Sequence, residues 1–274
     1  MKKTTKILYR LAGIVGGRRM NTIVEPLQRL HYFLKYGDYW FARGISVEVS
    51  TECNRSCIYC PQSLEKFPAQ TMTDEVFDLV CFRLKELDWR GSVTLSLYNE
   101  PLMLGQKIVE FSRKVYAAVP KALQIIQTNG DYLTAPLAQQ LIDAGVVTFI
   151  VTEHPPFNKN WYKRLEPIAK AFPYHIKLQR LKDWEMVNRS GTVNVVPARP
   201  EGRCIIPSIN ISVQIDGRIG HCTQDYYRRR IIGDLRKQSF KDIWFQSEYQ
   251  EVIRSLRRGI KTHEICRSCS GLEC

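Results

Sequence analysis

Three cysteines stand within one short stretch of the chain, at Cys53, Cys57 and Cys60. Thiolates are ligands for iron-sulfur clusters and for zinc. Three of them can hold three corners of a four-iron cluster and leave one iron open, whereas a structural zinc ion usually takes four protein ligands. Residues 45–50, just before, are rich in β-branched side chains of alternating polarity and predict a strand. The spacing therefore favours an iron-sulfur centre on the loop that leaves this strand, over a zinc site or cysteines that only pack.

Five further cysteines lie in the last quarter of the chain: Cys204, Cys222, Cys266, Cys269 and Cys274. Asp216-Gly217 predicts a hairpin turn that brings the first two together. Residues 239–258 carry apolar side chains at helical intervals and lead to the third and fourth. Two pairs of thiolates can thus converge on one site, which suits either an iron-sulfur cluster or a structural zinc ion. Cys274 is a spare ligand or a free thiol, and Cys81 is predicted to lie in the core.

Between the two cysteine groups the chain alternates between helical and β-rich patterns. Helices are predicted at residues 73–89, 105–119, 134–144 and 161–171. With residues 45–50, strands are predicted at 92–98, 123–128, 147–152, 174–180 and 192–196. Such alternation predicts an α/β fold with a parallel sheet and crossover helices.

Polar residues that can do chemistry stand where the predicted strands end, which is where α/β folds gather their active sites. They are Tyr98, Asn99 and Glu100 after the second strand, Thr128 and Asn129 after the third, His154 after the fourth, and Arg189 before the last. The Glu100 carboxylate suits an ammonium group, unless it is a solvated loop glutamate. The His154 imidazole is a proton acceptor or a local hydrogen-bond partner. The Arg189 guanidinium binds a carboxylate or a hydroxyl, or else forms a surface salt bridge.

Charge and composition bear on partners and compartment. The formal net charge is +13, and residues 1–44 contribute nine basic residues against two acidic ones, interleaved with aromatic side chains. Such an extension can contact an anionic partner, which is a nucleic acid, a membrane surface or a phosphorylated or nucleotide-linked sugar; the alternative is a solvated helix. The clustered cysteines, without a signal peptide or an apolar run long enough to span a bilayer, predict a cytoplasmic protein.

The first cysteine group, with Tyr59 just before its last member, resembles the motif of the radical S-adenosylmethionine (SAM) superfamily. The resemblance implies a partial (β/α)6 barrel and a [4Fe-4S] cluster on Cys53, Cys57 and Cys60, whose open iron binds SAM. Reductive cleavage of SAM then gives a 5′-deoxyadenosyl radical that abstracts a hydrogen atom. The residues that the resemblance places beside SAM are Tyr59, Asn99, Glu100, Thr128 and Asn129. Asn99 stands where the family has glycine.

The second cysteine group resembles the shortened "twitch" form of the SPASM domain. This implies one auxiliary [4Fe-4S] cluster, held by Cys204, Cys222, Cys266 and Cys269. Residues 1–44 are then an amino-terminal extension, residues 45–199 the radical SAM core and residues 200–274 the auxiliary-cluster domain.

From about residue 45 to residue 269 the chain is similar to 2-deoxy-scyllo-inosamine dehydrogenase-like enzymes, which oxidise aminocyclitols. The similarity implies oxidation of a hydroxyl carbon in a small polar substrate that can be anionic or nucleotide-linked, with the auxiliary cluster as electron acceptor and flavodoxin or ferredoxin as electron donor. Arg189, His154 and Tyr98 are the expected catalytic residues. Thr223 and Gln224 depart from an aromatic and an acidic residue of those enzymes, and Gln127 departs from an aromatic one.

Three alternatives stay open at the level of sequence. SPASM and twitch proteins include peptide maturases, and binding of a precursor peptide would favour that function. An epimerase would need a hydrogen-atom donor on the opposite face of the substrate. A nucleic-acid-binding metalloprotein is favoured by the basic extension and disfavoured by the open-cornered cysteine triad.

Overall fold

The computed structural model describes residues 30, 33–34, 37, 41–181 and 186–271. The chain divides into two compact units, Met1–Ala42 and Arg43–Cys274, and the second contains both cysteine groups. Most of the basic extension and Cys274 lie outside the described residues, so the predictions made for them stay predictions.

One eight-stranded sheet runs through the larger unit in the order β5-β4-β3-β2-β1-β6-β7-β8. The strands are β1 Gly44–Val47, β2 Ser92–Thr94, β3 Leu123–Thr128, β4 Val146–Glu153, β5 Ile176–Arg180, β6 Asn210–Val213, β7 Arg218–Gly220 and β8 Ile231–Asp234. Neighbouring strands from β5 to β6 are parallel, and β7 and β8 continue the sheet in antiparallel pairing. The parallel sheet confirms the predicted α/β class.

Helices join the parallel strands as crossovers. They are α1 Asp74–Glu86, α2 Gln106–Ala118, α3 Ala135–Asp143 and α4 Lys159–Ala171, close to the four predicted segments, followed by the one-turn helix α5 Ile206–Ile209. Thr73 and Thr134 cap α1 and α3 by accepting backbone hydrogen bonds. The stacked rings of Phe77 and Phe111, with centroids 4.0 Å apart, pack α1 against α2. These contacts fix the helices that carry the loops at the carboxyl ends of the strands.

The sixth parallel strand is not the predicted one. Residues 192–196 form turns, because Arg189, Ser190 and Gly191 have φ angles of 48°, 55° and 78° and turn the chain back on itself. The backbone N–H of Val193 donates to the carbonyl of Asn188, which closes this turn. The sixth position belongs to β6, which pairs with β1 over its whole length. The strand therefore comes from the stretch that the sequence assigned only to a hairpin of the auxiliary domain.

The carboxyl-terminal region contains the predicted hairpin and an interrupted helix. Gly217, with a φ of 83°, turns the chain between β6 and β7, which confirms the hairpin. Residues 239–258 form two helices, α6 Phe240–Trp244 and α7 Ser247–Arg257, because Gln246 between them adopts an extended conformation. The short helix α8, Glu264–Arg267, follows. Among the described residues, no helix is both long enough and apolar enough to cross a membrane.

Candidate active site

A polar cavity of about 1040 Å³, open in part to solvent, lies over the carboxyl ends of the parallel strands. Its walls include every residue that the sequence predicted for the first cluster, for SAM and for catalysis: Cys53, Cys57, Tyr59, Cys60, Tyr98, Asn99, Glu100, Thr128, Asn129, His154 and Arg189. These residues come from five separate segments of the chain. The parallel topology brings them together, because every β-to-α connection of such a sheet leaves on the same edge.

The three-cysteine loop is held by backbone and amide hydrogen bonds. The side chain of Gln62, which is buried, donates to the carbonyls of Thr51 at 3.0 Å and Tyr98 at 2.7 Å. This ties the loop after β1 to the end of β2. Cys60 opens a 3₁₀ turn at Pro61–Ser63, and its backbone N–H donates to the carbonyl of Cys57 at 2.8 Å. Burial raises the pKa of Cys53 to about 11, so its thiolate needs a bound cation for stabilisation.

Glu100 is buried at the base of the cavity with both carboxylate oxygens engaged. One oxygen accepts from the hydroxyl of Thr128 at 2.6 Å and from the backbone N–H of Leu102 at 3.1 Å, and the other accepts from the backbone N–H of Asn129 at 2.8 Å. Burial raises the pKa of Glu100, while these hydrogen bonds act in the opposite direction. The amide nitrogen of Asn99, also buried, has no hydrogen-bond partner among the described residues. A buried donor without a partner fits a bound ligand at this end of the cavity.

A polar network that sequence reasoning missed fastens the cysteine loop to the end of β3. Asp131 accepts two hydrogen bonds from the guanidinium of Arg55, both at 2.7 Å, and a third from Asn54 at 2.8 Å. Asn54 in turn accepts from the amide of Asn129 at 2.8 Å. Although burial acts to raise the pKa of Asp131, the hydrogen bonds from Arg55 and Asn54 lower it below its ordinary value. The only sequence signal was the Asn-Gly-Asp turn after β3.

We expect Asp131→Ala to lower the free energy of unfolding of the cluster-free protein by about 1 kcal/mol, because it leaves Arg55 and Asn54 without their acceptor. Chemical denaturation measures this effect. Glu166→Ala, which removes the exposed pair with Lys170, is the matched control and should cost no more than about 0.5 kcal/mol. Equal effects of the two variants would contradict a fastening role for Asp131.

His154 lies beside Tyr59 on the cavity wall. The Tyr59 hydroxyl is hydrogen-bonded to Nδ1 of His154, and the ring centroids are 5.9 Å apart. Burial, followed by the positive charge of Arg55, lowers the pKa of His154 to about 4, so its imidazole is neutral at neutral pH. His154 therefore has a local partner, and its role as a proton acceptor stays a prediction.

Arg189 and Tyr98 form the wall that faces the carboxyl-terminal region. The guanidinium of Arg189 donates to the side-chain carbonyl of Gln224 at 2.9 Å and lies 5.6 Å from the centroid of the Tyr98 ring. The Tyr98 hydroxyl donates to the carbonyl of Thr223 at 2.8 Å. Asn188 is held by Ser268 and Ser270, so the turn that presents Arg189 is anchored to the second cysteine group.

A second, mostly apolar cavity of about 460 Å³ contains the other four predicted ligands, Cys204, Cys222, Cys266 and Cys269. Cys222 is adjacent to Thr223, so this cavity lies directly behind the Tyr98 wall. Burial, together with the neighbouring thiols Cys204 and Cys269, raises the pKa of Cys266 to about 12. Thiols that raise one another's pKa in an apolar enclosure fit a bound cationic centre, which stabilises their thiolates.

The thiols of the two cysteine groups line two separate cavities. Among the described residues, no three histidine, cysteine or carboxylate side chains converge as closely as a single metal ion requires. One zinc ion, with bonds of about 2.3 Å to sulfur, would draw its ligands together. A four-iron cluster is larger and keeps its thiolates further apart. The donor sets, three thiolates beside a polar cavity and four in an apolar one, suit an open cluster and a closed cluster respectively.

His221 is a second residue that sequence reasoning did not single out. Its side chain is fully buried behind Cys222, and its Nε2 lies 3.6 Å from Sγ of Cys266. Burial, followed by the charges of Arg230 and His263, lowers its pKa to about 3. A neutral imidazole beside a thiolate has to carry its proton on Nε2 to donate to the sulfur.

Comparisons with known proteins agree with this geometry. Residues 204–270 match the SPASM family, described as an iron-sulfur cluster-binding domain. The S-adenosyl-L-methionine-dependent 2-deoxy-scyllo-inosamine dehydrogenase of Niallia circulans is 28% identical over 232 residues, which cover 83% of this chain and 92% of that protein.

Solved structures show the same fold. The crystal structure of BtrN in complex with AdoMet and 2-DOIA matches with a TM-score of 0.78 and 28% identity, over 85% of this chain and 94% of that one. Native anSMEcpe with bound AdoMet matches with a TM-score of 0.58 and 15% identity, over 83% and 88% of the two chains, and supports the fold alone. With its open parallel sheet, its three-cysteine loop and its second cysteine site, the chain has the fold of a radical SAM enzyme with a carboxyl-terminal SPASM-type domain.

Proposed function

We propose that this protein oxidises a hydroxyl-bearing carbon of a small polyhydroxylated molecule, of the sugar or cyclitol kind, to a ketone. One observation carries the proposal: a single polar cavity is bounded by the three-cysteine loop on one side and by the wall in front of the four-cysteine cavity on the other. A substrate in this cavity lies between the two centres. The similarity to the 2-deoxy-scyllo-inosamine dehydrogenase supports the same class of reaction.

Cys53, Cys57 and Cys60 would hold a [4Fe-4S] cluster with one open iron, and Cys204, Cys222, Cys266 and Cys269 would hold an auxiliary [4Fe-4S] cluster. When bound, SAM and the first cluster supply a radical that takes a hydrogen atom from substrate, and the auxiliary cluster supplies an acceptor for the remaining electron.

The chain's own residues bind and orient the reactants. Glu100, oriented by its hydrogen bonds with Thr128 and Asn129, would accept hydrogen bonds from the ammonium group of SAM, and the unpartnered amide of Asn99 would donate to an oxygen of SAM. Tyr59 would pack beside the adenosine. These contacts place the reacting end of SAM over the strand ends.

On the opposite wall, Arg189 would donate hydrogen bonds to a substrate oxygen, since a guanidinium has donors only and keeps its proton. His154, which lies beside Tyr59 and is neutral, would take up the proton of the substrate hydroxyl. Tyr98 would close the space between substrate and the auxiliary site, and its hydroxyl is already occupied by Thr223.

We further propose a flavodoxin or ferredoxin as electron donor and a cytoplasmic location. The cytoplasmic location is supported by the free cysteines, because thiols that bind iron persist in a reducing compartment. We also propose that residues 1–44 contact an anionic partner and that the radical SAM core and the auxiliary-cluster domain divide at residues 199–200.

The test is anaerobic reconstitution followed by incubation with SAM, a reductant and a panel of sugars and cyclitols deuterated at their hydroxyl-bearing carbons. We expect deuterium in 5′-deoxyadenosine and one ketone per 5′-deoxyadenosine formed. A product that retains its hydroxyl and gains hydrogen from solvent would show epimerisation. Deuterium transfer only from a precursor peptide would show a maturase, and either result would overturn the dehydrogenase proposal.

We expect His221→Leu to make the reduction potential of the auxiliary cluster more negative, because it removes the hydrogen-bond donor beside Cys266. An EPR-monitored redox titration measures the potential directly. His221→Gln is the matched control, since its amide keeps a donor of similar reach and should retain most of the wild-type potential. Identical potentials in all three proteins would show that His221 does not act on the cluster.

A further inference from the structure

The charges on the wall of the polar cavity indicate the class of substrate. Resting on the proposed function, we propose that the substrate is a polyhydroxylated molecule bearing an oxyanion, a carboxylate or a phosphate, that pairs with Arg189. An amino group is excluded from this position by the same charges.

Acidic groups are scarce in the lining of the polar cavity. The described lining of the cavity contains one carboxylate, Glu100. Both of its oxygens already accept hydrogen bonds from the protein, and its place is beside the unpartnered amide of Asn99. Behind Arg189, at the apolar cavity, stands the neutral side chain of Gln224, which accepts from Arg189. Because the proposed function assigns Glu100 to the ammonium group of SAM, the described lining leaves no second carboxylate for a cationic substrate.

The basic groups of the cavity differ in their partners. Of the two guanidinium groups that line the cavity, Arg55 is neutralised by its two hydrogen bonds to Asp131. Arg189 has no carboxylate within ion-pair distance among the described residues. Its Nε is buried and has no hydrogen-bond partner in the part of the chain that the structure describes. The Arg189 guanidinium is half-buried, and its hydrogen-bond acceptor is a neutral amide. A guanidinium pairs best with an oxyanion such as a carboxylate or a phosphate, so Arg189 lacks such a partner among the described residues.

Other polar side chains on the wall of the cavity are uncharged. Gln127, Thr152 and Gln179 bring amides and a hydroxyl into the cavity. Gln127 is exposed, although the residues before and after it in β3 are buried. Amides and hydroxyls both donate and accept, as the hydroxyl groups of a sugar or cyclitol require. The wall therefore combines recognition of several hydroxyl groups with one unpaired positive charge.

Matched pyranoses test this inference: glucose, glucosamine, glucuronate and glucose 6-phosphate. We would measure equilibrium binding to the reconstituted protein loaded with SAM, by anaerobic calorimetry, and measure SAM binding separately. Glucuronate or glucose 6-phosphate is expected to bind at least about tenfold more tightly than glucose, with glucosamine weakest. The two anions distinguish a carboxylate from a phosphate.

Variants assign the preference to Arg189. Arg189→Gln should abolish the advantage of the anion while leaving SAM affinity unchanged, and Arg189→Lys, which keeps the charge, should retain part of it. Gln224→Glu should reduce the advantage of the anion by pairing with Arg189.

Anionic sugars that bind no better than glucose, or that do not bind at all, would overturn the inference. So would a loss of SAM affinity in Arg189→Gln, which would assign the guanidinium to the SAM carboxylate. A ketone formed from an aminated substrate would overturn the inference and leave the proposed function intact, whereas a failure to cleave SAM would count against the proposed function alone.

Discussion

Replacing Cys57 with alanine is expected to reduce reductive cleavage of SAM to the background of the protein without iron. Cys57 is the central member of the three-cysteine loop and lines the polar cavity. Two thiolates cannot hold three corners of the cluster, so the variant loses the iron that would bind SAM. The measurement is 5′-deoxyadenosine formed per protein under strong reductant, together with iron and sulfide counts after anaerobic reconstitution.

Iron counts and a control variant assign the loss of SAM cleavage to the first cluster site. We expect about eight irons in the intact protein and about four in Cys57→Ala, since the auxiliary site is untouched. Cys81→Ala is the matched control, because Cys81 is buried in α1 and lines neither cavity. It should keep both clusters and full cleavage. Unchanged cleavage in Cys57→Ala would refute the assignment of this loop as the cluster site.

Replacing Cys222 with alanine is expected to have the opposite selectivity, with SAM cleavage retained and ketone formation lost. Cys222 lies behind the Tyr98 wall and lines only the apolar cavity. The first site keeps all of its ligands, while the auxiliary site loses one of four. Substrate oxidation then has no acceptor for its second electron, and 5′-deoxyadenosine accumulates without ketone.

Because Cys222 adjoins the Thr223 carbonyl that accepts from Tyr98, a second variant separates loss of the cluster from damage to the wall. Cys269→Ala removes a ligand that follows α8 in the chain and does not adjoin Thr223. Both variants should give the same uncoupled cleavage, measured as the ratio of ketone to 5′-deoxyadenosine. Normal ketone formation in either variant with four irons would show that the auxiliary cluster is not the acceptor.

Much of the fold and nearly all of the cavity residues could be predicted from sequence, for a physical reason. Helices α1 to α4 bury one apolar face each, so their periodicity is visible, and residues such as Glu100 and Thr128 stand at strand ends that a parallel sheet must align. The sixth strand was mistaken because β-branched Thr192 and Val193 favour a strand locally. The left-handed turn at Arg189 overrides that preference.

The missed contacts join residues far apart in the chain. Arg55 and Asp131 are 76 positions apart, and His221 and Cys266 are 45 positions apart. Apart from the Asn-Gly-Asp turn at Asp131, no local pattern marks either pair, because each residue acquires its role only from the partner that the fold brings to it. The unpaired charge of Arg189 is likewise a property of its surroundings and not of its sequence.

The pairing of β1 with β6 couples the two metal sites mechanically. The three-cysteine loop leaves β1, and the hairpin that carries Cys222 begins with β6, so the sites stand on strands about 4.8 Å apart in one hydrogen-bonded ladder. A flexible linker between two bodies would let their spacing fluctuate, whereas this ladder cannot hinge without breaking. The spacing of the two cysteine sites is thus set by the sheet itself, and we expect the two sites to unfold in one transition.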